Sequence, residues 1–183
     1  MPMQDVSIDL ETLGVTSRSA FVTIGACMFD ARTGEVDKDN TFYRRVSWET
    51  ATLRRNISPD TLHWWTNQQV EALREITKPG GEPLKQVLID FAEWVPHKCK
   101  PWGNGAVFDV GMVEDAYNQY AIPIPWKFWD VRDMRTVVDI GRWLQMDPKK
   151  IQREGVHHNA LDDAIHQAKV IGLMQKQILK RAG

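Results

Sequence analysis

The chain is short of the features that would assign it to several large protein classes. Cysteine occurs only twice, as Cys27 within an apolar run and as Cys99 between Lys98 and Lys100. That argues against a disulfide framework and for a reducing cytoplasm. No stretch approaches the roughly 20 apolar residues that a membrane span requires. Residues 1–5 lead straight into the first strand, which leaves no room for a secretory signal. Net charge is nearly absent as well, with 23 Lys and Arg against 24 Asp and Glu, a formal −1. Such a chain is not a wholesale binder of duplex nucleic acid, which calls for a basic surface. A nucleic-acid enzyme stays open, because cations bound at an acidic cluster restore positive charge locally.

What is present suits one domain over residues 1–183: 43% hydrophobic and 26% charged residues, enough for a full core. Eight tryptophans are an enrichment. A large core plus an interface accounts for them, and so does stacking on nucleobases, worth ~1–3 kcal/mol per base.

Residues 5–11 alternate Val6, Ile8 and Leu10 with Ser7, Asp9 and Glu11, the period of a strand. Residues 21–29 and 41–46 are the next two strands, so the opening third reads as an antiparallel meander. Helical spacing follows. Ser58 caps a helix that begins with Pro59 and runs towards Trp65, and residues 67–76 form another. After the Lys78-Pro79-Gly80-Gly81 break, Leu84, Val87, Leu88, Phe91 and Val95 mark an amphipathic helix. Residues 101–105 are a short strand entering a turn, 107–120 a helix, 126–130 a last short strand, 131–144 a helix and 160–180 the terminal helix. This order predicts an α/β domain with a mixed sheet.

Three distant acidic positions can converge on that framework. Asp9 and Glu11 project from one strand face, roughly 6–7 Å apart. There they repel each other and invite Mg²⁺ or Mn²⁺, which take oxygen ligands. Asp109 lies where a strand hands over to a helix, a common ligand position in α/β sheets. Asp163 falls in the first turn of the last helix if Asn159 is its N-cap, where the helix dipole favours a carboxylate. Ala160, one turn earlier, leaves space for substrate or metal, and His158, outside the helix, can reach a water at the site. Each residue alone has an ordinary reading: helix-terminal charges for Asp109 and Asp163, a solvated sheet face for Asp9 and Glu11, a surface histidine for His158. Their order and spacing together are what chance does not explain.

Asp9-Leu10-Glu11-Thr12, then Trp102-Gly103-Asn104-Gly105-Ala106-Val107-Phe108-Asp109, then His158-x-Ala160-x-x-Asp163 resemble the three motifs of the DEDDh (DnaQ-like) 3′–5′ exonucleases. The likeness is greatest to the RNase T-like branch, including compact exonucleases of the DexA type. Arg132-Asp133-Met134-Arg135-Thr136 and Leu62-His63-Trp64-Trp65 also look like that branch. His158, not His157, stands in the motif register. His157 then reads as structural or substrate-facing, and Asp162 as a bystander.

The resemblance implies an RNase H-like fold with a mixed five-stranded sheet flanked by helices. It implies two divalent ions, Mg²⁺ or Mn²⁺, held by Asp9, Glu11, Asp109 and Asp163, with His158 as general base in a hydrolytic displacement. By the same analogy Thr12, Phe108, Trp64 and Trp65 contact the terminal nucleotide. Packing is the plainer role for either tryptophan, and a solvated or ion-paired surface the plainer setting for Arg132 and Arg135. The expected substrate is a single-stranded 3′ end or 3′ overhang, RNA slightly favoured over DNA, and the expected assembly is a homodimer. The alternatives are an RNase H-like endonuclease, or a silent nucleic-acid-binding module that has lost a ligand.

Overall fold

The computed structural model of the chain describes residues 3–182. Met1, Pro2 and Gly183, and with them the start of the proposed run into the first strand, lie outside the described residues.

Strand β1 (Asp5–Thr12) is the middle of a five-stranded sheet ordered β3-β2-β1-β4-β5. Strands β2 (Phe21–Phe29) and β3 (Val36–Arg45) complete the antiparallel meander. The short strands β4 (Lys100–Gly103) and β5 (Arg132–Asp133) add in parallel, which makes the sheet mixed, as expected. Both faces of β1 are covered. Val6, Ile8 and Leu10 join one core with Leu84, Val87, Leu88 and Phe91 of α4 (Leu84–Trp94) and Val110, Val113 and Tyr117 of α5 (Asp109–Gln119). The helices α1 (Trp48–Ala51), α2 (Pro59–Thr66) and α3 (Val70–Thr77) precede α4, and Ser58 caps α2 as its position before Pro59 predicts.

The opposite face, which carries Asp9 and Glu11, is crossed by α7 (Ala160–Ala182), with α6 (Met134–Trp143) packed against it. The solvated-face reading of the acidic pair is therefore overturned. The crossing is close because Ala160, Ala164, Ala168 and Gly172 recur every four residues along one side of α7. Gly25, the cross-strand partner of Asp9, lies directly beneath Ala160. At the other end Gly172 rests on the backbone of Gly34. The backbone at Ala160 thus lies on the sheet, and the residue is fully buried.

Three elements differ from the sequence reading. β3 begins at Val36, because Asp37-Lys38-Asp39-Asn40, polar as a turn, lies on the exposed edge of the sheet, where charge is tolerated. Residues 126–130 are not a strand. Trp126 is buried with Phe91 and Tyr117 and donates its indole N–H to Glu114 at 2.7 Å, while Phe128–Asp130 form a 3₁₀ turn. The last strand is instead Arg132–Asp133, so α6 starts later than position 131. Asp133 caps it by accepting from the Thr136 N–H at 2.9 Å. One buried cation had no sequence signal: Arg55 pairs with Asp115 at 2.9 Å and donates to the carbonyls of Ser17 and Ser19, tying the loop after β1 to α5. Among the described residues no helix is long and apolar enough to cross a membrane.

A Cβ at Gly25 would run into the backbone carbonyl carbon of Ala160 and the amide nitrogen of Leu161. Backbone on both sides cannot yield as a side chain would. Gly25→Ala is expected to cost on the order of 3 kcal/mol, measured by denaturant unfolding. Gly111→Ala, where α5 leaves room, is expected to stabilise by about 0.5–1 kcal/mol.

Candidate active site

The end of β1 forms one wall of a cavity of about 490 Å³. Asp9 and Glu11 enter it from the same strand face, two residues apart, and Thr12 follows at an irregularity in the β1–β2 ladder. Asp109 enters from the first residue of α5, delivered by the turn at 104–108. Asp133 fixes that turn by accepting from the Ala106 N–H at 2.6 Å, which ties it to α6. Asp163 enters from the first turn of α7. Asn159 accepts from the Leu161 and Asp162 N–H groups at 3.1 and 3.2 Å, the capping geometry expected of it.

Ligand oxygens of Asp9, Glu11 and Asp163 all lie within 4.8 Å of one another. Asp109 lines the same cavity outside that tight trio. Glu11, Asp109 and Asp163 are buried. His158 stands beside the acids, its backbone N–H donating to Asp163 Oδ2 at 3.3 Å. It adopts φ 63°, an uncommon left-handed conformation for a residue with a side chain and one that recurs at functional sites. Its ring contacts Trp64 and Trp65 edge to face, with centroids 5.0 and 5.7 Å away.

Burial raises the pKa values of Asp9, Glu11 and Asp109. Asp9 is pushed well above the ordinary range by burial, then by Asp109, Glu11 and Asp163, with the Gln167 hydrogen bond opposing. Glu11 rises to about 8, through burial first and repulsion from Asp163 and Asp109 second. Burial lifts Asp109 to about 7 against the backbone hydrogen bonds of Asn104 and Leu10 and the charge of Arg135. His158 is lowered by burial and by the neighbouring His157, which favours the neutral imidazole.

All nine residues singled out for the site, Asp9, Glu11, Thr12, Trp64, Trp65, Phe108, Asp109, His158 and Asp163, line this one cavity. The tryptophans divide their work. Trp65 is 2% exposed and donates its indole N–H to the Thr12 carbonyl at 2.8 Å, whereas Trp64 is 44% exposed. Trp65 therefore has the packing role, and Trp64 has the free ring surface. Three residues were missed. Gln167 donates to Asp9 Oδ1 at 2.6 Å, and its signal was available, four residues beyond Asp163 on the same helical face. Arg153 contacts Asp163, a neighbour that only the loop before α7 supplies. His166 also lines the cavity. Asp162, read as a bystander to the metal site, braces that loop by accepting from the Val156 N–H at 2.7 Å.

The family model for the 3′-5′ exoribonuclease Rv2179c-like domain matches residues 4–175. The chain belongs to this family. It is similar to the exodeoxyribonuclease of Enterobacteria phage T4, at 24% identity over 208 residues covering 98% of this chain and 91% of that protein. Among solved structures, S. pombe Pop2p in its Mg²⁺- and Mn²⁺-bound form aligns with a TM-score of 0.63 at 15% identity, covering 97% of this chain and 84% of that one. The nuclease domain of 3′hExo, a DEDDh family member bound to rAMP, aligns with a TM-score of 0.58 at 14% identity, covering 96% and 93%. The fold is thus the RNase H-like fold of the DEDDh exonucleases, and the chain is a member of the 3′–5′ exonucleases.

A carboxyl whose pKa is higher folded than unfolded stabilises the fold at low pH, and that stability is lost as pH rises through the folded value. The chelated protein should therefore become less heat-stable between about pH 4, the unfolded carboxylate range, and the values near 7 and 8 of Asp109 and Glu11. Thermal unfolding in chelator across this interval, with and without Mn²⁺, checks it. Mn²⁺ should flatten the decline, and Glu11→Gln should shrink it without metal.

Proposed function

We propose that the chain is a divalent-metal-dependent 3′–5′ exonuclease of the RNase T-like branch, acting on single strands or 3′ overhangs, with an exoribonuclease slightly favoured over an exodeoxyribonuclease. The observation that carries this reading is the trio of carboxylates gathered within 4.8 Å, with the His158 backbone N–H donating to one of them, Asp163. The residues fit a metal. Their donors are hard oxygens, Glu11 Oε1 is buried with no hydrogen-bond partner among the described residues, and the raised pKa values mark anions short of a cation.

Asp9 would be shared between two Mg²⁺ or Mn²⁺ ions, with Glu11 and Asp163 completing one site and Asp109 serving the other. Bound there, the ions supply stabilisation of the attacking and leaving oxygens of an in-line displacement. The protein does the rest. The His158 imidazole accepts the proton of the attacking water, a task suited to a group neutral at working pH. Gln167 fixes the Asp9 carboxylate through its hydrogen bond. Thr12, whose carbonyl accepts from Trp65, meets the terminal nucleotide, and the rings of Trp64 and Phe108, which line the same cavity, stack on its base. Pop2p with Mg²⁺ and Mn²⁺ and 3′hExo with rAMP support the ions and the nucleotide by likeness of fold. The exoribonuclease family description supports RNA. Two buried free thiols suit a cytoplasmic setting, and the exposed Phe128, Trp129 and Trp143 suit a homodimer.

With Mn²⁺ or Mg²⁺ the purified protein should shorten 5′-labelled single strands from the 3′ end and spare a circular one. His158→Ala should slow this by about 10²–10⁴-fold, and Asp9→Ala should abolish it. Activity that survives chelation would sink the reading. Matched RNA and DNA strands test the preference. Light scattering tests the assembly, and a monomeric mass would rule out the dimer.

A further inference from the structure

A second cavity, also of about 490 Å³, opens between α6 and the middle of α7. It adjoins the first across four shared side chains, Asn104, Met134, Arg135 and His166. Its floor is apolar, with Val138 and Val170 both buried. Its rim is cationic. Arg135 spends its Nε on Asn104 at 3.2 Å, and its terminal nitrogens donate to no group among the described residues. Arg142 pairs with Asp139 at 3.0 Å, but both side chains are more than half exposed, so the pair is weak and easily exchanged for another anion. At the junction of the two cavities the His166 Nδ1 is buried and has no hydrogen-bond partner among the described residues.

An apolar floor under guanidinium groups offers one ligand class two things at once. A base finds a surface to lie on, and a phosphate finds forked donors. The cavity is also of ligand size. We propose that it is a second nucleotide-binding subsite, which holds the strand upstream of the nucleotide being removed. Arg135 and Arg142 hold backbone phosphates, and a base rests on Val138 and Val170. The inference rests on the exonuclease reading, because continuity with the acidic cavity is what selects a nucleic-acid strand as the occupant. Asp139 turns from partner of Arg142 to bystander when a phosphate arrives.

The subsite should make tight binding depend on substrate length. Steady-state kinetics of the full chain with Mn²⁺ would compare wild type and Arg142→Glu on an RNA octanucleotide and on a dinucleotide with a free 5′-hydroxyl, whose one phosphate is the bond being cut and which therefore offers Arg142 no backbone phosphate. The expected result is a KM raised about tenfold on the octanucleotide, with the dinucleotide KM within about twofold and kcat unchanged on both. The slope of log KM against log salt should also lose about 0.7 for each phosphate contact removed. Equal effects at both lengths, or none at either, would overturn the subsite. Fluorescence anisotropy of a labelled octanucleotide with Ca²⁺ separates the two readings. Binding that Arg142→Glu weakens, in a wild type that cleaves nothing, would keep the subsite and refute the exonuclease. No binding at any length would refute both.

Discussion

The active site depends on how closely α7 can lie on the sheet. Gly25 beneath Ala160 and Gly34 against Gly172 remove the side chains that would hold the helix away. With the helix lowered to backbone contact, the first-turn Asp163 comes within ligand distance of Asp9 and Glu11. The arrangement is repulsive and would not form on electrostatic grounds alone. It is held by the apolar layers on both faces of the sheet, where Ala168 and Ile171 of α7 pack with Phe29 and Trp102. Burial of this kind contributes about 25 cal/mol per Å², and it is this packing that keeps the three carboxyl groups together against their mutual repulsion.

A second layer of residues orients the first. Gln167 braces Asp9, Asp133 ties the turn before Asp109 to α6, Trp65 fixes the carbonyl of Thr12, and Asp162 steadies the loop that carries His158. Each uses a hydrogen bond to a backbone group or carboxylate, and none needs to touch substrate. A site carried partly on loops gains its geometry from such supports.

The motif residues were legible in the sequence because their signals are local. Asp9 and Glu11 share the two-residue period of a strand, and the cap at Asn159 sets the helical phase that aims Asp163. The central strands, α4 and α7 followed from periodicity for the same reason. What escaped was whatever depends on distant neighbours. The aromatic run at 126–130 has the composition of a strand, but Trp126 is claimed by the core before any ladder can form. Arg153 has no periodic signal, since only the folded loop carries it to Asp163. The close approach of α7 at Ala160 had no local signal either, because it depends on Gly25, a residue of another element.

The acidic cavity is floored by backbone contacts and buried carboxylates, whereas Trp64 and Arg135 at its edge are exposed side chains. Substitutions beneath the site are therefore paid in folding stability, while those at the rim are nearly neutral to it. The two regions therefore tolerate change to different degrees. The buried carboxyl cluster is fixed by the fold, whereas the edge around it can be rewritten, and what the cavity admits altered, without disturbing the core.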